Sequence, residues 1–197
     1  MAKKASKTKL KLLDISKQLM MSKGYNATKV EEICQMAEVT KGAFFYYFKT
    51  KEDLGMSVLD YYWQERQAQF MASDWLASDD PFDRIEGFLA VVADVFMNDP
   101  HGYSCLAGSF TQELADTNTD FREIVSGLFD EWSEQIKPVL QEANERSGNH
   151  VDIDLLADYI VVVTEGALIL AVARQDRQVI AQHLNLLNTH IRSVFSV

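Results

Sequence analysis

The sequence predicts an all-α protein, and three observations carry that prediction. Only three prolines and nine glycines interrupt 197 residues, too few turn-formers for a chain of many short strands. Apolar residues recur three and four apart in most segments instead of alternating. Near the N-terminus, three helix-capping signals, at Thr28, Thr40 and Thr50, follow one another closely. The length allows one or two domains with a full apolar core.

In "LKLLDISKQLMMSKGY", Leu12, Leu13, Ser16, Leu19 and Met20 share one helical face and Gly24 stands where a helix would stop. This is the first helix. In "TKVEEICQMA", Thr28 and Glu31 have capping-box spacing, and Val30, Ile33, Cys34 and Ala37 form the inward stripe of a short second helix. Cys34 falls on a small buried position and reads as packing. Thr40 is the expected cap of a third helix, and Thr50 with Asp53 makes a box that opens a fourth, running through Tyr62 and Trp63 toward Trp75. Pro81 begins a fifth, with Phe82, Ile85, Phe88, Leu89, Val92 and Phe96 on one face. A sixth is expected from about Tyr103 to Ala115. A seventh is expected from Asp120 to Glu145, kinked at Pro138. The last two run from Ile153 to Arg174 and from about Arg177 to Phe195.

The net charge of −10 conceals a strong segregation. Residues 1–51 hold 11 lysines against Asp14, Glu31, Glu32 and Glu38, a net of +7, and the remaining 8 basic and 25 acidic residues leave −17. A cationic module that meets a polyanion, joined to an acidic body that is repelled from it, fits that division. The start, "MAKKASKTKLKLLD", is too charged for a secretory signal, and the longest apolar run, "YIVVVTEGALILAVA", is broken by Thr164, Glu165 and Gly166. A cytoplasmic protein that does not enter a membrane is therefore expected, and the glycosylation sequon at Asn26 is without consequence. Cys34 and Cys105 lie far apart without metal-ligand spacing, so no disulfide, metal site or cofactor is expected.

Three capped helices, the middle two joined by a tight turn, form the layout of a helix-turn-helix DNA reader. In such readers the N-terminal end of the third helix meets base edges in the major groove. Lys41 is suited to guanine O6 and N7, Gly42 to close backbone approach, and the Ala43 methyl or Phe44 ring to a thymine methyl. The run "FFYYF" is then expected to divide by face. Phe45 and Phe48 point inward, while Tyr46 and Tyr47 reach phosphates. Lys49, Lys51 and the fourth helix's N-terminus add backbone contacts, and Thr28 and Thr40 are counted with the DNA-contacting set.

Residues 12–59 resemble the DNA-binding domain of the TetR family of bacterial transcriptional regulators. The resemblance runs through Gly24, Tyr25, Thr28, Ile33, Ala37, Val39, Thr40, Lys41, Gly42, Phe45, Phe48, Lys51 and Leu54. Two positions depart from it, Phe45 where the family often has tyrosine and Tyr47 where it often has histidine. The resemblance implies a DNA-binding domain over 1–55 and a helical ligand-binding and dimerisation domain over 56–197. It also implies homodimers on palindromic operators and repression relieved by a small-molecule inducer.

Within the acidic remainder, Val161, Thr164, Leu168 and Ala171 with Ile180, Leu184, Leu187, Ile191 and Val194 are expected to form a four-helix subunit interface. Gly166 and Ala167 permit close approach. Phe88, Phe96, Phe110 and Trp132 are the candidate lining of an apolar inducer cavity. The segment "YSCLAGSFTQELAD" is similar to one in the TetR branch that includes the NemR and AcuR regulators, which implies a sensing role for Cys105 in some members and not in others. Cys105 is expected in the first turn of the sixth helix, with His101 just upstream. A small residue packed beneath a pocket is the alternative. Two other function classes stay open. A cysteine enzyme using Cys105, His101 and Glu113 needs an oxyanion site that nothing at Gly102 or Gly108 resembles. A helical protein-binding adaptor leaves the +7 module without a purpose.

Overall fold

The computed structural model describes residues 7–100, 102 and 104–196, and among them there are nine helices and no strand. They form two compact units. One takes the chain up to Arg66 together with Leu106–Val125, and the other takes Gln67–Cys105 and the chain from Ser126 onward. By compactness the N-terminal unit continues along the fourth helix to Arg66, past the boundary expected at residue 55, and takes in the sixth helix.

The first unit contains α1 (Lys7–Lys23), α2 (Val30–Ala37), α3 (Lys41–Tyr47), most of α4 (Lys51–Met71), α6 (Leu106–Leu114) and the start of α7 (Thr119–Ser147). The α1 stripe of Leu12, Leu13, Ser16, Leu19 and Met20 is buried as its spacing predicts. The helix ends where Gly24 takes φ +85° and donates its N–H to the Met20 carbonyl. The capping box expected at Thr28 does not form. Thr28 is fully buried and its hydroxyl donates to the Gly24 carbonyl at 2.8 Å, so α2 begins only at Val30 without a side-chain cap. Glu31 and Glu32 in the first turn of α2 still complement the helix's positive end.

Glu38 closes α2 in the left-handed conformation usual for glycine, and Thr40 then caps α3, its Oγ1 accepting from Ala43 N–H at 3.1 Å. Thr50 and Asp53 make the predicted start of α4: Thr50 Oγ1 accepts from Asp53 N–H, and the Asp53 carboxylate accepts from Lys49 N–H. Two polar contacts fasten α1 to α4. The buried Lys17 ammonium meets Glu65 at 2.5 Å, and the Tyr61 hydroxyl donates to Asp14 at 2.9 Å.

In the second unit, Asp80 and Pro81 start α5 (Pro81–Met97) as the sequence predicts, the Asp80 carboxylate accepting from Phe82 N–H. The remainder of α7 runs through Pro138 without ending. A short turn in which Gln175 is left-handed joins α8 (Ile153–Arg174) to α9 (Gln178–Val194). By length and composition α8 could span a membrane, but 44% of its apolar window is already buried within the chain.

The helix pair corrects the expected subunit interface. Thr164, Leu168 and Ala171 of α8 and Ile180, Leu184, Leu187 and Ile191 of α9 are buried inside a single chain, where α8 packs on α9 and α9 on α5. A different stripe of α8 faces outward: Leu155, Tyr159, Val162, Gly166, Ile169 and Ala173. Successive members are alternately four and three residues apart, the period of a helix–helix seam. Leu186 of α9 is exposed as well, and Tyr159 lies against His190 of α9.

Candidate nucleic-acid interface

Local chemistry determines which part of α3 faces outward. The cap at Thr40 fixes the first turn, and the side chains that anchor the helix are Phe44 and Phe48, which are fully buried and touch each other at 5.8 Å. Phe44 lies within the helix, and Phe48 closes it in extended backbone just past the last turn. Phe45 is consequently turned out, 51% exposed, and Tyr46 is 81% exposed. The expected assignment of these rings is thus corrected twice. Phe44 is core and offers nothing to a thymine methyl, and Phe45, expected inside, stands on the outer face. Tyr47 packs edge to face on Tyr46, with ring centres 4.9 Å apart.

Lys41 and Gly42 lie exposed at the N-terminal end of α3, with Ala43 half-buried behind them. The Lys41 ammonium is held by Glu31 of α2 at 2.6 Å, a contact that raises the lysine's pKa and lowers the glutamate's. Both partners are well exposed, so the pair orients Lys41 more than it stabilises the fold. Lys49 is exposed beside the start of α4. Lys51 turns back over the Tyr25 ring, 4.3 Å from its centre, and donates to the Asn26 carbonyl at 3.3 Å, and partial burial lowers its pKa. Thr28 is sealed inside, which withdraws its side chain from the DNA-contacting set.

In the second unit, Cys105 stands one residue ahead of α6, not within its first turn, and is buried. Its thiol donates a hydrogen bond to the Glu165 carboxylate of α8. Burial pushes Glu165 up to about 7, partly offset by that hydrogen bond, and its Oε1 has no hydrogen-bond partner. Glu165 opens on a hollow of about 360 Å³, shared with Phe129, Asp130, Asp158, Val161 and Val162.

None of the four rings expected to line a cavity borders this hollow. Phe88 packs on Phe70 and Trp75, Phe96 on Trp132, and Phe110 belongs to the first unit, between Tyr25 and Phe121. All four are buried and fill the interior. His101 lies outside the described residues. Among the described residues, no group of three His, Cys, Asp or Glu side chains is placed to hold a metal ion.

Comparison with known proteins decides the family. Residues 12–55 match the model of bacterial regulatory proteins of the tetR family, and residues 81–187, more than half the chain, match the tetracyclin repressor-like C-terminal domain. The chain belongs to the TetR family. It is 31% identical over 160 residues to the transcriptional regulator AcuR of Cereibacter sphaeroides, covering 77% of this chain and 70% of that one. It is 27% identical over 177 residues to the HTH-type transcriptional repressor DhaR of Mycobacterium sp. (strain GP1), covering 89% and 87%. The crystal structure of a TetR transcriptional regulator from Chloroflexus aurantiacus superposes with a TM-score of 0.82 at 27% identity, covering 93% of each chain.

As a TetR-family protein, this chain is a DNA-binding transcriptional regulator and not an enzyme. Family members are generally repressors. Sequence reasoning missed three glutamates of this regulator. Glu31 was read as half of a capping box and instead holds Lys41. Glu165 was read as an interruption of an apolar run, and that isolation was the available signal of a buried, paired carboxylate. Glu113 was noted as part of the α6 motif and as an enzyme candidate, while its actual partners lie in the turn after α1.

Proposed function

We propose that this TetR-family regulator is a repressor that binds a palindromic operator as a homodimer and is released by a small-molecule or electrophilic inducer. The observation that carries the DNA reading is the outer face of α3, where Lys41, Gly42, Phe45 and Tyr46 are exposed together at one end of a capped helix. Lys41 reads bases, Phe45 supplies the apolar contact first assigned to Phe44, and Tyr46, Tyr47 and Lys49 meet phosphates, with Thr40 and Ala43 at the point of entry. Lys51 acts from behind by holding the Tyr25–Asn26 backbone.

The homodimer reading is supported by the seam on α8. Several large apolar side chains at four–three spacing stand exposed on one helix, and Gly166 in their midst has open space where a Cβ would project. Twofold pairing of two chains along this seam would present two reading heads, and a palindrome requires two, roughly 34 Å apart or a multiple of that. The inducer acts on the second unit, where the Cys105–Glu165 pair beside the hollow is the candidate sensing locus. Such release is a population shift toward a head spacing that no longer matches the operator. The regulator works in the cytoplasm, where bacterial DNA lies.

Duplexes selected by the protein from a random pool test the DNA reading. Lys41→Ala should weaken the best duplex roughly 5- to 150-fold and relax preference at one base pair of each half-site. Tyr46→Phe combined with Tyr47→Phe should weaken all duplexes by a similar factor. Wild-type affinity in folded samples of both variants would overturn the assignment of α3.

A further inference from the structure

Glu113 sits one residue from the end of α6, inside a motif whose purpose the DNA-reading surface does not explain. Its carboxylate is a two-toothed acceptor. Oε1 accepts from the Tyr25 N–H at 2.9 Å and Oε2 from the Asn26 N–H at 2.8 Å, so consecutive amides of the turn between α1 and α2 are held by one side chain 88 and 87 residues away. Charge-assisted bonds to two amides fix a turn in both position and orientation.

The surroundings are shaped to admit that carboxylate. Gly24 has φ +85°, which favours glycine, and a Cβ there would lie 2.4 Å from Glu113 Oε1 and push the carboxylate from its place. The Tyr25 ring packs edge to face on Phe110 of α6 at 5.3 Å and on Phe121 of α7 at 5.5 Å. Gly55 lets α4 approach the same rings: a Cβ there would stand 2.8 Å from Tyr25 and 2.9 Å from Phe121. One turn earlier on α4, Lys51 covers the Tyr25 ring and donates to the Asn26 carbonyl. The turn leads through Thr28, locked to Gly24, straight into α2 and thence to α3.

We propose that Glu113 is the positioning residue that couples α6 to the DNA-reading helix, through its grip on the α1–α2 turn. A shift or tilt of α6 then moves the entry to α2 and re-aims α3, and DNA bound at α3 in turn restrains α6. That reciprocity is required of any coupling between two sites. The placement suits regulation, because α6 follows Cys105 directly in the chain and, as nine helical residues, acts as a short rigid lever. The coupling rests on the reading that α3 meets DNA.

Amide hydrogen exchange on the full-length protein, free and bound to a duplex it has selected from a random pool, tests the coupling. In wild type, the Tyr25 and Asn26 amides should exchange slowly, and duplex binding should slow exchange along α6. Glu113→Ala should speed exchange of both amides roughly tenfold or more, still retain the duplex, and lose the α6 response to it. Glu113→Gln, which keeps the shape and one acceptor oxygen, should restore protection of one amide and part of the response. It also serves as the folded test should the alanine variant not fold. An α6 response as large in the variants as in wild type, or absent from wild type, would overturn the coupling. A wild-type protein that retains no duplex would instead overturn the DNA reading.

Discussion

Glu165→Gln should make the protein more stable above pH 7 and leave it nearly unchanged near pH 5. The carboxyl lies against the Cys105 thiol, with one oxygen unpartnered, and burial raises its pKa from near 4.5 to about 7. A raised carboxyl pKa means that the folded state favours the protonated form. The cost of ionising it is therefore absent below the unfolded pKa, grows as pH rises from 4.5 to 7, and is complete above 7. A difference of that size corresponds to about 3 kcal/mol, an upper bound because the side chain is not wholly sealed. Between pH 5 and pH 8 the advantage of glutamine over glutamate should widen by about 2.5 kcal/mol. Urea unfolding of both proteins at equal concentration, at unit pH steps from 5 to 8, measures this directly. Taking the difference between the two proteins cancels the background of other carboxylates, including Asp130 and Asp158 at the same hollow. A pH-independent difference, or a variant less stable than wild type at pH 8, would show that Glu165 is adequately solvated and that its pairing with Cys105 has no electrostatic cost.

Two further substitutions test the corrected geometry. Phe44→Ala should cost about 3–5 kcal/mol of unfolding free energy while Phe45→Ala costs about 0.5 or less, read from urea midpoints; equal losses would mean that α3 is wrongly phased. Val162→Asp with Ile169→Asp should convert a dimer to a folded monomer by sedimentation and lower affinity for a two-half-site duplex at least tenfold. A dimer that survives both charges would place the interface elsewhere.

The places where the sequence misled are as informative as those where it did not. Helices with one apolar stripe and a cap, such as α1 and α5, were legible because a single periodicity determines both their start and their inner face. α3 was harder. Spacing of three and spacing of four both put two rings on one side, and Phe48 lies just past the helix in extended backbone, where helical phase no longer directs it. At Thr28 a matching capping pattern lost to a competing acceptor, the Gly24 carbonyl, that only the turn brings near. α8 is apolar on most of its circumference, so no periodicity could say which stripe packs on α9 and which faces out. Glu113 and Glu165 meet partners that the fold, not the local sequence, delivers.

The structure also changes what the charge segregation means. A net of +7 in the first 51 residues suggests a head whose cations wait for phosphate. Three of those lysines are instead engaged by glutamates of α2 and its C-cap: Lys41 by Glu31, Lys11 by Glu38 and Lys23 by Glu32. These pairs are exposed and easily screened, so phosphate can displace each carboxylate without a large penalty. Approaching DNA therefore meets a head that is partly neutralised by its own side chains. Each lysine that exchanges glutamate for phosphate leaves a carboxylate beside the DNA backbone, a repulsion that a simple count of cations omits. On the proposed DNA reading, these carboxylates oppose indiscriminate binding to phosphate, and the positive charge of the head favours encounter more than it favours retention.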